Sequence, residues 1–137
     1  MIEFVFTLGF LAVVIVGVVI FAAMRPPEFH LERSVTIAAK REDVFRIVRD
    51  LKRYDEWSPW SNIDPAMRVT YAGDPADVGG SYAWEGNDKA GSGKMTITAV
   101  TAPERVEVKL EFFRPFPAVN QVRWSLVDLG GETAMTW

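Results

Sequence analysis

From Met67 to its last residue the chain repeats one pattern, and that pattern leaves few folds open. Met67, Val69 and Tyr71 alternate with Arg68 and Thr70, and Tyr82 and Trp84 with Ala83 and Glu85. Met95, Ile97 and Ala99 share one parity against Lys94, Thr96 and Thr98. Val106, Val108, Leu110 and Phe112 oppose Glu107, Lys109 and Glu111, while Val122, Trp124 and Leu126 oppose Arg123 and Ser125. Thr133, Met135 and Trp137 close the series. A period of two over short runs marks strands that bury one face. Turn chemistry separates them: Gly73 to Gly80, Gly86-Asn87-Asp88, Pro115-Phe116-Pro117 and Gly130-Gly131. With connections this short and one apolar face per strand, the expectation is an antiparallel sheet wrapped around something.

Upstream, residues 29–38 also alternate, with Phe29, Leu31, Val35 and Ile37 on one parity and His30, Glu32, Ser34 and Thr36 on the other. Arg33 breaks the inner face, which predicts a bulge or an edge position there. From Arg41 the period changes. Val44, Ile47, Val48 and Leu51 follow helical spacing with Phe45 beside them, so an amphipathic helix is expected. Glu42 and Asp43 fall in its first turn, where the helix dipole favours them. Glu42–Arg46 and Arg46–Asp50 are expected as pairs four residues apart. A second short turn of helix is expected over Lys52 to Glu56. It ends at Trp57-Ser58-Pro59-Trp60, because proline removes a donor and drives the preceding residue towards extended backbone. Trp57, in helical register with Leu51 and Tyr54, is the expected anchor of the fold, and Trp60 the expected rim residue.

The N-terminus is of another kind. Phe4 to Met24 is a run of 21 apolar or small residues, and Glu3 is the only charge before Arg25. At ~1.5 Å rise per residue such a helix spans the ~30 Å core of a bilayer. The run exceeds a signal-peptide core and lacks a basic leader, so a retained anchor is favoured over a cleaved one. Arg25, Arg33, Lys40 and Arg41 all follow it, which places the rest of the chain on the cytoplasmic side. Pro26-Pro27 stops the helix. The expected organisation is a transmembrane anchor at 1–24, a linker at 25–28 and a folded domain at 29–137.

Charge and composition exclude several functions. The formal net charge of −3 offers no basic excess for nucleic acid. Cysteine is absent, which removes disulfides and thiolate chemistry. A single histidine, His30, and no acidic cluster at ligand spacing speak against a metal site. Gly91-Ser92-Gly93 is not followed by a helix and reads as a hairpin turn, not a phosphate cradle. Glu85 and Glu111 lie on the polar parity, outside the cup, and Ser58 has no nearby base. No catalytic residue, metal or cofactor is assigned.

The succession of residues resembles the START-like (SRPBCC) superfamily, in its polyketide cyclase/dehydrase and lipid transport branch. The resemblance rests on Glu32-Arg33-Ser34-Val35-Thr36-Ile37, Asp43-Val44-Phe45, Asp55-Glu56-Trp57-Ser58-Pro59-Trp60 and Asp64-Pro65. It continues through Tyr82-Ala83-Trp84-Glu85-Gly86-Asn87, Gly91-Ser92-Gly93-Lys94-Met95 and Pro115-Phe116. It implies an α+β helix-grip (START/Bet v 1-like) fold: a strand, two short helices and a curved antiparallel sheet around a hydrophobic cavity, here preceded by one transmembrane helix. The family pattern ends in a long helix gripped by the sheet. That helix is missing here, because Trp137 stands in what should be the last strand, and a truncated domain with one uncovered face is expected.

Trp57, Trp60, Tyr82, Trp84, Met95, Ile97, Phe112 and Trp124 are the expected cavity wall. The favoured function is a membrane-anchored, non-catalytic module that binds a hydrophobic small molecule or lipid. The alternatives are a cyclase/aromatase-like enzyme and an envelope or stress-related protein acting through protein contacts. A cyclase needs polar groups projecting into the cup, and the inner parity offers almost none.

Overall fold

The computed structural model describes the backbone of residues 2–25 and 28–137, with side chains for 13–25 and 28–137. The chain divides into two units, Met1–Leu31 and Glu32–Trp137. The first holds helix α1 (Ile2–Ala23). Among the described residues no helix is long and apolar enough to cross a membrane. The expected anchor at 1–24 falls in part outside the residues whose side chains are described.

The second unit is one seven-stranded antiparallel sheet with short helices packed on it. Its strands are β1 (Ser34–Ile37), β2 (Arg68–Ala72), β3 (Ser81–Glu85), β4 (Ser92–Thr101), β5 (Arg105–Arg114), β6 (Ala118–Asp128) and β7 (Thr133–Thr136). Strands β2 to β7 form a meander, and β1 is added beside β7, giving the order β1-β7-β6-β5-β4-β3-β2. The first strand is shorter than the alternation over 29–38 suggests. Phe29 and Leu31 are exposed and outside regular structure. The ladder begins at Arg33, whose N–H and C=O both pair with Trp137. Arg33 does lie at an edge strand, as the break in its pattern requires.

Register sorts the side chains. Tyr82 lies opposite Tyr71 and Met95, Trp84 opposite Val69 and Gly93, and Ile97 opposite Val108. A register shift between Ile97 and Ala99 sets Ala99 opposite Glu107 and Val100 opposite Val106. Ala99 therefore does not share the face of Met95 and Ile97, contrary to the simple alternation; a bulge inverts the parity beyond it.

Helix α2 (Arg41–Val48) buries Val44, Phe45 and Val48, as its spacing predicts. Its charges pair differently from expectation. Arg46 bonds Asp43 one turn back, while the Asp50 carboxylate accepts from the Lys52 N–H at 2.9 Å and caps the next turn, Leu51–Arg53. Helix α3 (Tyr54–Trp57) follows at once and ends at Ser58, whose backbone is extended (φ −83°, ψ 130°). The Ser58 hydroxyl accepts from the Trp60 N–H at 3.3 Å, so the serine caps a further turn, Pro59–Asn62, with Pro59 at its start. The Trp-Ser-Pro-Trp segment is thus two helical turns joined at one extended residue.

Candidate functional site

Two adjoining cavities lie on the inner face of the sheet. The larger, about 440 Å³, is enclosed by Val35, Ile37, Val44, Ile47, Val48, Trp57, Val122, Trp124 and Met135 among others. The smaller, about 170 Å³, lies between the Trp60 turn and the two hairpin tips at β3–β4 and β5–β6, with Trp84, Leu110, Phe112, Lys89 and Arg114 in its wall. Tyr54, Trp60 and Met95 belong to both. Small-molecule sites commonly occupy ~300–1,000 Å³, so the larger cavity reaches that range by itself and the smaller does not.

A chain of aromatic rings runs along both. Trp124 meets Trp57 edge to face at 5.1 Å and stacks on Tyr54 at 6.0 Å; Tyr54 meets Tyr82 at 5.5 Å. Tyr82 approaches Trp84 at 6.4 Å, and Trp84 meets Phe112 edge to face at 5.7 Å. Such contacts contribute ~0.5–1.5 kcal/mol each beyond area burial, which stiffens the wall as well as making it apolar. Trp84 also needs Gly93. A β-carbon at Gly93 would collide with the Trp84 indole and the Glu111 carbonyl, so the absence of a side chain lets the ring lie across the neighbouring strand. The Trp84 Nε1–H donates to the Ala90 carbonyl at 3.1 Å and fixes the ring against the β3–β4 tip. That tip is itself held by Asp64, whose carboxylate accepts from the Asn87 N–H at 2.8 Å and the Ala66 N–H at 2.9 Å.

The polar chemistry of the wall is sparse. The Tyr82 hydroxyl donates to Asp55 Oδ1 at 3.1 Å. Burial pushes the Tyr82 hydroxyl well above the ordinary tyrosine range, and the Asp55 charge and its hydrogen bond add to the rise. Burial likewise raises Tyr54, with Ser58 opposing and Asp55 adding; Tyr71 is raised by burial and by Asp55 and Asp50. All three phenols stay neutral at physiological pH. The Trp57 Nε1–H is buried without an acceptor among the described residues. No group of acidic or histidine side chains able to hold a metal occurs among the described residues.

A family model described as polyketide cyclase / dehydrase and lipid transport matches residues 28–137. The chain belongs to that family. The fold of this family member is similar to that of Mll3558 from Rhizobium loti, with a TM-score of 0.60 and 17% identity, covering 77% of this chain and 73% of that one. It is similar also to a protein from Arthrobacter aurescens (TM-score 0.55, 22% identity, 77% of this chain and 64% of that one). A third likeness is to norcoclaurine synthase from Thalictrum flavum, whose structure is a complex with dopamine and hydroxybenzaldehyde (TM-score 0.59, 12% identity, 77% and 64%). The chain thus spans just under two thirds of the latter two proteins. At these identities the likeness is one of fold. No curated protein sequence matches the chain.

The structure places the eight residues expected in the family cavity as follows. Trp57 and Trp124 line the larger chamber, Tyr82, Trp84 and Phe112 the smaller, and Trp60 and Met95 both. Ile97 lines neither. It is 1% exposed and sealed in the core with Leu51, Val106 and Val108, because its opposite neighbour Val108 lies at the centre of the sheet. Trp57 packs against the core, whereas Trp60 is 64% exposed. Glu85 and Glu111 face outward and pair with Arg68 and Lys109.

The expectation of an almost wholly apolar inner face needs correction. Asn120 lies opposite Leu110 and shares its face, and Asp55 reaches Tyr82 from α3. Lys89 reaches the smaller chamber from a turn, where strand parity carries no information, and Arg114 from the last position of β5, on the parity of Leu110 and Phe112. One signal for the last two was present: in a meander, the tips of alternate hairpins lie at the same end of the sheet. Tyr54, which belongs to both chambers, was also missed as a wall residue.

Proposed function

We propose that this family member is a non-catalytic binding module for a hydrophobic small molecule or lipid, tethered to a membrane by its N-terminal segment with the folded domain on the cytoplasmic side. The observation that supports the reading is the pair of adjoining, aromatic-walled chambers. Apolar concavities of this size with few polar groups are the usual form of a small-molecule site. The tether rests on the run from Phe4 to Met24, which would hold the chambers within reach of ligands that partition into a bilayer. Extraction of the purified full chain, followed by mass spectrometry, should recover a bound apolar molecule. A chain that yields none, and takes up no fluorescent apolar probe, overturns the reading. For topology, a reporter fused to the C-terminus should be active only in the cytoplasm, and activity on the far side reverses the orientation.

A second reading, a cyclase-like enzyme, is favoured by the Tyr82–Asp55 pair alone. A neutral phenol at a cavity wall can turn its one O–H from Asp55 to a substrate carbonyl. Tyr82→Phe separates the two readings: it leaves apolar uptake intact in a binding module and abolishes turnover in an enzyme of this kind.

A further inference from the structure

The charged groups of the two chambers are distributed with opposite sign. Lys89 and Arg114 line the smaller chamber, and no acidic residue does. The larger chamber has no cation in its wall, and its one acid, Asp43, is already paired with Arg46.

The two cations differ from those on the outer face of the sheet. There, Arg68, Lys109 and Arg123 each meet a glutamate. Neither Lys89 nor Arg114 has an ion pair among the described residues. Arg114 is oriented by neutral acceptors, its Nε–H reaching Ser92 Oγ at 3.3 Å and its terminal NH₂ the Gly86 carbonyl at 3.2 Å, so its charge is held in place but not neutralised. The loop carrying Lys89 is ordered by Asn87, whose side-chain oxygen accepts from the Lys89 and Ala90 N–H groups at 3.0 Å each. Three acids stand near by. Asp88 is the neighbour of Lys89 in the loop, Asp64 accepts from two backbone N–H groups, and Asp55 accepts from the Tyr82 hydroxyl. None of them lines the chamber.

We infer that the ligand is an amphiphile with an anionic head, a carboxylate or a phosphate, seated between Lys89 and Arg114, with its apolar chain passing Met95 into the larger chamber. The inference rests on the binding reading above and adds the class of ligand and its direction. Two cations at one end of an apolar path favour an anion there and disfavour an ammonium. The chain belongs in the larger chamber because that one has the greater volume and no cation in its wall.

The test titrates the full chain in non-ionic detergent with dodecanoate, dodecyl phosphate, dodecanol and dodecylammonium, one at a time, and reads the bound fraction by native mass spectrometry. The expected result is that at least one anion binds about tenfold more tightly than the alcohol, with the ammonium weakest. Which anion binds best assigns the head as carboxylate or phosphate. Lys89→Gln should remove most of the advantage of the anion over the alcohol, and Lys94→Gln, on the outer face, should leave it. If the alcohol or the ammonium binds as tightly as both anions, the inference fails while the binding reading stands. If the preference for anions survives Lys89→Gln, the placement of the head is wrong. If none of the four binds, the binding reading itself fails.

Discussion

The small chamber sits between two hairpin tips and the Trp60 turn, and the large one between α2 and the β1–β7 end of the sheet. Both present indole and aliphatic surface, but they are held differently. Around the small chamber several wall groups are fixed by hydrogen bonds: Trp84 to Ala90, Tyr82 to Asp55, and the β3–β4 tip to Asp64. Around the large chamber the wall is held by packing. Trp57 is wedged against Tyr54 and Trp124 with its N–H unpaired, and Val35 and Trp137 at the sheet edge are exposed. An unpaired buried donor costs ~1–3 kcal/mol, so this wall is stabilised mainly by apolar contact and against a polar penalty. The lesson is that hydrogen-bonded walls set position and charge, whereas packed walls set volume.

The contrast can be broken most severely at Trp124, which is 4% exposed and touches both Tyr54 and Trp57. Trp124→Ala should cost about 3–5 kcal/mol of stability, read by thermal or urea unfolding, and should collapse the large chamber before the small one. Gly93→Ala acts on the other side. Its methyl group drives the Trp84 ring off the neighbouring strand, at a cost of about 1–3 kcal/mol, and disturbs the small chamber while apolar uptake in the large one persists.

Smaller in size but specific in pH is the effect at Tyr82. Its hydroxyl titrates higher in the folded state than in the unfolded chain, where tyrosine ionises near 10. The unfolded state therefore releases this proton first as the pH rises. The stabilisation is fully present below about pH 10 and is lost progressively above it. Tyr82→Phe should make the alkaline loss shallower in unfolding curves measured between neutral pH and pH ~11. An unchanged slope would show that Tyr54 and Tyr71, which are raised as well, carry the effect.

The smallest effect on stability is expected at Trp60, the exposed ring shared by the two chambers. Trp60→Ala should stay within about 0.5 kcal/mol of the parent while weakening uptake of an apolar fluorescent probe. Equal loss of both would remove Trp60 from the rim.

Much of the fold follows from short-range information. The runs at Tyr82 to Glu85, Val106 to Phe112 and Val122 to Leu126 alternate so regularly that strand, inner face and hairpin order can be read from residue type and spacing. The same holds for α2, whose Val44, Phe45 and Val48 declare a buried stripe. These are legible because a pleated strand repeats every two residues and a helix every 3.6. The seven wall residues that do line a chamber were reached in that way, together with the family resemblance. What sequence does not carry is the meeting of distant segments. Only the folded chain set β1 beside β7, with the ladder beginning at Arg33. Only the bulge after Ile97 exchanged Ala99 for Val100 on the inner face, since one extra residue inverts parity with no change in composition. Tertiary structure alone also brought Asp55 to Tyr82, sealed Ile97 behind its neighbours, and set Lys89 and Arg114 in the wall of one cavity. Alternation determines which face a side chain takes along its own strand. The company it keeps there is decided by register and by the loops that join at one end of the sheet.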